Sequence, residues 1–308
     1  MIRHIQSHCQ KYIGITLMLL SITGCQTMLP GVYLSDLGTT FPAGNILSST
    51  QQGPISFEEM MADLKTVRVI YIGEQHTSTA HHAIQLKIME ELAKEDIPLS
   101  IGMEMFAVPY QPILDQWYRG KLEQEAFLEK VHWYASWGYP FSLYEDILNF
   151  AKVHQTKVVA LNILFHIPPK ISIGGIDNLL PEEKAHLPSK VDTTISEHRA
   201  FLESTFKKHN IPSMKKFDYF YSAQCVWEDK MAESIVENLG QSRMVVILGN
   251  GHVIHKFGVP NRAFSRTNVN FRTIYLAPTG SETDLTYGDY IWVTPLDKRS
   301  KKGVHPMR

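Results

Sequence analysis

The sequence predicts an α/β fold: a mostly parallel sheet with helices on both faces and an inserted helical subdomain. Three observations predict it. Apolar, β-branched runs at 67–72, 99–105, 157–161 and 244–248 read as strands buried on both faces. Stretches with helical spacing alternate with them, as parallel crossovers require. Two long helical patterns, about 193–208 and 213–239, follow one another between consecutive strands, where a single crossover helix would do.

The chain begins with a segment that reads as a signal peptide over 1–24. Arg3 and Lys11 form its basic part, and 12–23 is a short apolar run ending in Gly24-Cys25. A small residue directly before a lone cysteine marks Cys25 as a lipidation site, with Gln26 after it as in lipoproteins sorted to an outer membrane. One acylated cysteine anchors a domain to a membrane without spanning it. Residues 25–55, rich in Gly, Pro, Ser and Thr, read as a lipidated tether. The single folded domain is expected over 56–296, with the helical insertion at about 166–240, and 297–308 as a basic tail.

Within the domain, Ser56 followed three residues on by Glu59 is a capping box that opens a helix. Strand 67–72 comes next, then a polar turn, then a helix capped by Thr79. Strand 99–105 follows Pro98. The segment 111–153 is helical, and six of the twelve residues from Trp133 to Tyr144 are aromatic. Gly138 and Pro140 break that run into a turn, and Ser142 is expected to cap the helix after it. Strand 157–161 closes at Asn162. The stretch 166–190, with its prolines and Gly174-Gly175, reads as loop. Strands 271–277 and 290–294 complete the sheet.

After removal of the signal the basic residues number 30 − 2 = 28 against 31 acidic ones, a net charge of −3, and nothing in that balance suggests nucleic acid. With Cys9 lost and Cys25 modified, Cys225 is the one remaining thiol, and no intrachain disulfide can form. Cys225 lies mid-helix beside Trp227 and reads as a packing residue. There is no G-x-S-x-G elbow, so a serine or cysteine hydrolase is disfavoured.

Chemistry is expected where strands end. The first strand breaks at Gly73 into Glu74-Gln75-His76, and strand 244–248 breaks into Gly249-Asn250-Gly251-His252. Glu104 stands near the end of strand 99–105. Ligands of open α/β sheets lie outside the carboxyl ends of the strands, so Glu74, His76, Glu104 and His252 point to one shared site. Mixed histidine and carboxylate ligands suit a divalent zinc, iron or manganese ion. The same four residues suit catalysis as general acid and base without a metal. His81 and His82, at the start of a helix, could join them, with one of the two expected at the surface. The aromatic run offers a platform for a large planar ligand such as a porphyrin. Tyr139 and Tyr144 are the candidates for a phenolate ligand to haem iron, while Trp133 and Phe141 are expected in the core.

Gly73-Glu-Gln-His76 with Ala80-His-His82, Gly102-Met-Glu-Met105, Trp137 to Tyr144, Val158 to Asn162, Ala223-Gln224 leading to Asp229-Lys-Met-Ala232, and Gly249-Asn-Gly-His-Val253 leading to Gly258-Val-Pro260 occur in that order. Together they resemble the ChaN-like haem-binding lipoproteins over about residues 56–262. The family's polar continuation of the first motif is here Thr77-Ser78-Thr79. The resemblance implies a haem-binding protein at the outer membrane, associated with haem and iron acquisition. It further implies haem held by a tyrosine, a homodimer enclosing it, and an outer-membrane haem receptor as a possible partner. The glycine-histidine patterns are more distantly similar to erythromycin-esterase-like and Tiki-type proteins. That likeness implies the alternative, a metal-dependent hydrolase using the Glu/His cluster.

Overall fold

The computed structural model describes residues 31–209 and 217–297. The signal peptide, Cys25 and the basic tail from 298 onward lie outside the described residues, as does the expected helix start at Ser213. Eight strands form the main sheet. They are β3 (Ile46–Ser48), β4 (Gly53–Ile55), β5 (Val69–Glu74), β6 (Leu99–Ala107), β7 (Lys157–Asn162), β8 (Arg243–Gly249), β9 (Phe271–Pro278) and β11 (Tyr290–Thr294), in the order β4-β3-β11-β9-β5-β8-β6-β7. The six from β11 to β7 run parallel, and β3 and β4 pair antiparallel at one edge. The α/β fold with a mostly parallel sheet is therefore as the sequence predicts.

A second sheet of three short strands, β1 (Gly31–Leu34), β2 (Thr39–Pro42) and β10 (Glu282–Thr283), flanks it. Residues 31–55 are thus folded, which corrects the expectation of a tether there. Their turn-rich composition hides four short strands, two of which, β1 and β3, pair with strands more than 200 residues away, with Val32 and Leu47 buried beside Ala277 and Ile291.

The helices are α1 (Phe57–Leu64), α2 (Thr79–Leu92), α3 (Gln111–Tyr118), α4 (Gln124–Lys130), α5 (Trp133–Ser136), α6 (Glu145–Val153), α7 (Ile167–Gly174), α8 (Pro181–Lys184), α9 (Ser196–His209), α10 (Phe217–Asn238) and α11 (Val259–Thr267). Side chains alternate across β5. Ile70 and Ile72 pack with Ile88, Leu148, Trp133 and Phe141 on one face, and Val69 and Tyr71 pack with Met231, Ile235 and Val259 on the other. The helices between β5 and β7 therefore cover one face, and α10 and α11 the other.

Ser56 and Glu59 form the expected capping box on α1. The cap of α2 is Ser78, one residue before the expected Thr79: its side chain accepts the His81 N–H. Ser142 lies within a short 3₁₀ turn, and Tyr144 is the residue that precedes α6. The stretch read as loop after β7 holds α7 and α8. Pro168 and Pro169 stand in the first turn of α7, where a missing N–H costs nothing. Among the described residues no helix is long and apolar enough to cross a membrane.

Candidate functional site

β5, β6 and β8 are neighbours, with β8 between the other two, so their carboxyl ends open onto one crevice. Strand alternation places Glu74 on the α2 face of the sheet and Glu104 on the α10 face. His76, just beyond β5, stands between them. Its Nδ1 lies 2.8 Å from Glu74 Oε1. Its ring rests against Gly249, where a Cβ would come within 3.1 Å of His76 Cε1 and 3.7 Å of Glu104 Oε2. Glycine at 249 thus leaves room for the imidazole on the side where Glu104 lies. Glu104 Oε2 accepts the Gly249 N–H at 2.6 Å, and its Oε1 lies 3.4 Å from His252 Nε2. The four residues Glu74, His76, Glu104 and His252 do converge at one rim of the sheet, although 178 positions separate the first from the last.

The network continues in both directions. On the α2 side, Gln85 Nε2 and the Tyr144 hydroxyl donate to Glu74 at 2.8 and 2.5 Å, and His82 Nε2 lies 3.3 Å from its second oxygen. His82 is nevertheless angled so that neither ring nitrogen forms a hydrogen bond. His81 accepts the Gln75 N–H on Nδ1 and bonds Thr294 through Nε2. Both histidines are buried, which corrects the expectation that one faces solvent. On the α10 side, His252 Nδ1 lies 3.2 Å from Glu228 Oε1, and Gln224 Nε2 donates to the same oxygen. Glu228 and Asp229 in turn receive Arg262 of α11, a fully buried guanidinium. Glu228, Gln224 and Arg262 carry no expectation from the sequence. Their one visible signal is a Gln and a Glu four apart on an otherwise apolar helix segment.

Burial works against every charge in this network, and the neighbouring charges outweigh it. The hydrogen bond from His76 and the charges of His82 and His76 hold Glu74 well below the usual carboxylate range. Glu104 and Glu228 are lowered in the same way by the histidines and, for Glu228, by Arg262. His76 is raised by its bond to Glu74 and by the Glu104 charge, and His252 is pushed up to about 10 by Glu104 and Glu228. The site therefore consists of matched ion pairs.

That matching bears on the expected metal. Among the described residues no group of three His, Cys, Asp or Glu side chains is arranged to hold an ion. The physical reason is that each carboxylate is already committed. Glu74 is taken by His76, Gln85 and Tyr144, and Glu104 by the Gly249 amide and His252, on opposite faces of the sheet. The expectation of a divalent metal on Glu74, His76, Glu104 and His252 is corrected accordingly.

Tyr144 is also corrected. It is wholly buried, and its hydroxyl is bonded to Glu74. Burial and that carboxylate push the phenol well above its usual range, and the enclosed, bonded hydroxyl is not presented to a ligand at the mouth of the crevice. Tyr139 is different. It is half-buried at the mouth of the crevice, its ring 5.3 Å from His76 and 5.4 Å from Trp137. Burial, Glu104 and Glu74 raise its phenol as well. Trp133 and Phe141 are core residues, as expected.

A cavity of about 370 Å3 lies under this rim, between the strand ends and α9. His76, Glu104, Gln224 and His252 supply its polar wall, and Phe201, Leu202, Trp227, Ile254 and Tyr275 its apolar one.

A family model described as "Haem-binding uptake, Tiki superfamily, ChaN" matches residues 60–263. The chain belongs to this family. Its fold is similar to that of ChaN of Campylobacter jejuni, described with cofacial heme binding, at a TM-score of 0.66 and 22% identity over 80% of this chain and 95% of that one. Weaker likenesses include the type III effector HopBA1 (TM-score 0.44, 11% identity, 77% and 92% covered). An erythromycin esterase, EreC, in its open conformation is similar at a TM-score of 0.44 and 10% identity, with 76% and 77% covered. No curated protein matches in sequence. The ChaN family membership spans the whole strand-end site, from α1 to α11.

Proposed function

We propose that this protein is a haem-binding lipoprotein of the outer membrane, anchored through lipid on Cys25 and engaged in haem and iron acquisition. The observation that carries the haem reading is membership of the haem-binding uptake family over residues 60–263. ChaN of Campylobacter jejuni, the relative with the same fold, is described with cofacial heme. Haems that face one another are most simply enclosed by two copies of the chain, so a homodimer is part of the proposal. An outer-membrane haem receptor is the partner the acquisition role calls for.

The residues at the rim suit such a ligand. A cavity of about 370 Å3 stands near the low end of small-ligand pockets, so a porphyrin would lie across the mouth rather than inside. Trp137 and Tyr139 offer aromatic faces there, and Tyr134, 64% exposed, adds a third aromatic side chain to the same segment. Tyr139 is the tyrosine of the original pair left free to reach iron. Its raised phenol means that ferric iron would have to displace the proton, which a hard cation on a phenolate does readily. The test is a haem titration of the purified protein followed by absorption. A Soret band that is lost or shifted in Tyr139→Phe supports the reading. Absence of any haem band in the unmodified protein would defeat it. The hydrolase alternative is left without the metal it called for.

A further inference from the structure

The first and last described residues meet at one corner of the sheet. The Gly280 N–H donates to the Gly31 carbonyl at 2.8 Å, just past the end of β9. Thr279 donates its N–H to the Thr294 carbonyl at the end of β11, and its Oγ1 accepts the Leu296 N–H at 3.1 Å. Asp297 then accepts from the backbone N–H and the hydroxyl of Thr79, in the first turn of α2. The same contacts run on to the crevice. Thr294 Oγ1 bonds His81 Nε2, and His81 Nδ1 accepts the N–H of Gln75, the neighbour of His76. Strands β11, β9 and β5 are parallel, so Gly31 and Asp297 lie on the carboxyl-end rim, where the crevice opens.

Beyond these two points the sequence carries two features that seek a membrane. Cys25 precedes Gly31 by six residues. Because 31–55 is folded, the link from the cysteine to the domain spans at most about 20 Å. Residues 298–308 hold five Lys or Arg and no acid. The rest of the mature chain, 25–297, then has 28 − 5 = 23 basic residues against 31 acidic ones, a net charge of −8. An anionic bilayer attracts the short segment and repels the rest, so it selects which side of the molecule approaches. Leu296 and Tyr33, both exposed, add apolar side chains at the same corner. We infer that the protein turns this rim toward an anionic phospholipid bilayer, with 298–308 on the headgroups, so that the crevice opens beside the lipid surface. This placement deepens the lipoprotein reading and rests on it only for the attachment at Cys25. A two-fold axis along the membrane normal would bring the same corner of both copies of a homodimer to the bilayer.

Vesicle binding by the mature chain carrying Cys25→Ser, which cannot be acylated, tests it. Sedimentation is expected with vesicles containing about one-third phosphatidylglycerol and not with pure phosphatidylcholine. Lys301→Gln together with Lys302→Gln should lower the partition roughly 25-fold, about fivefold for each charge removed. Orientation is read from a fluorophore on Gln75→Cys or Asp96→Cys, both exposed positions, since the remaining Cys225 is buried. Gln75 follows the end of β5, and Asp96 lies past the far end of the 14-residue α2, about 20 Å away. On anionic vesicles with a quencher in the headgroup layer, the label at 75 should lose the larger share of its emission, and the acylated protein should give the same order. Equal binding to both kinds of vesicle, no binding to either, or quenching at 96 equal to or above that at 75 would each overturn the proposal. No binding is also the result expected if the basic segment folds back on the acidic domain. Mass spectrometry of Cys25 tests the lipoprotein reading separately: an unmodified cysteine would defeat that reading, while the order of quenching still decides this one.

Discussion

The Tyr144 hydroxyl donates to Glu74 Oε1 at 2.5 Å, and the same oxygen holds His76 Nδ1 at 2.8 Å. Tyr144 is thus a positioning residue: it fixes the carboxylate that fixes the histidine. Tyr144→Phe leaves the ring in its packing against Trp133 and His82 and removes one bond to a buried charge. A loss of about 1.5–3 kcal/mol in urea unfolding is expected, the range for hydrogen bonds to charged groups. The haem spectrum should not change.

Arg262→Leu should be more damaging. The guanidinium is buried between Glu228 and Asp229, and its loss takes a buried partner from both, leaving Asp229 with Arg266 and Glu228 with the histidines. Breaking a buried pair from one side costs about 3–5 kcal/mol, readable in the midpoint of denaturant unfolding. Because Glu228 also holds His252, the variant should disturb the strand-end cavity as well.

Stability should depend on pH on both sides of neutrality. His252 has its folded pKa raised from 6.5 to about 10, so its contribution is complete below pH 6.5 and is lost as pH rises from there through 10. His81 behaves in the opposite sense. It is buried, and its folded pKa falls from 6.5 to about 4, so stability is lost as pH drops through that window. Thermal melting across pH 4–10 should therefore peak near 6.5. His252→Gln should flatten the alkaline limb and leave the acid limb in place.

Gly249→Ala is the mildest way to move His76. The new methyl would stand 3.1 and 3.2 Å from the ring atoms Cε1 and Nε2, so the imidazole must give way by a few tenths of an ångström. Nuclear magnetic resonance should record a shifted His76 ring signal with the fold intact. Gly258→Ala serves as the contrast. Its methyl would meet the His252 carbonyl oxygen at 2.6 Å and Glu228 Oε1 at 2.7 Å, and a markedly lower melting temperature is expected.

Much of this architecture can be read from the residues. Runs such as 67–72 and 244–248 are apolar on both faces, and only a sheet covered on both sides accepts them. The polar residues that end them stand out because they interrupt those runs. Glu228 and Arg262 could not be found in this way. A charged residue on a helix ordinarily faces water, and its burial here depends on a partner from another helix 34 positions on. Direction was equally hidden for the two tyrosines: nothing local distinguishes Tyr144, turned inward to Glu74, from Tyr139, left at the mouth. The strands of 31–55 escaped because β1 and β3, on which β2 and β4 pair, find their own partners β10 and β11 at the far end of the chain.

A β-sheet ordinarily insulates the two layers packed on it, and at this rim the insulation fails. Glu74 belongs to the layer of α2 and Glu104 to the layer of α10, and His76 answers to both. Repacking beside Gln85 on one side would therefore be felt as an altered imidazole on the other, so the two halves of the molecule communicate through a single ring.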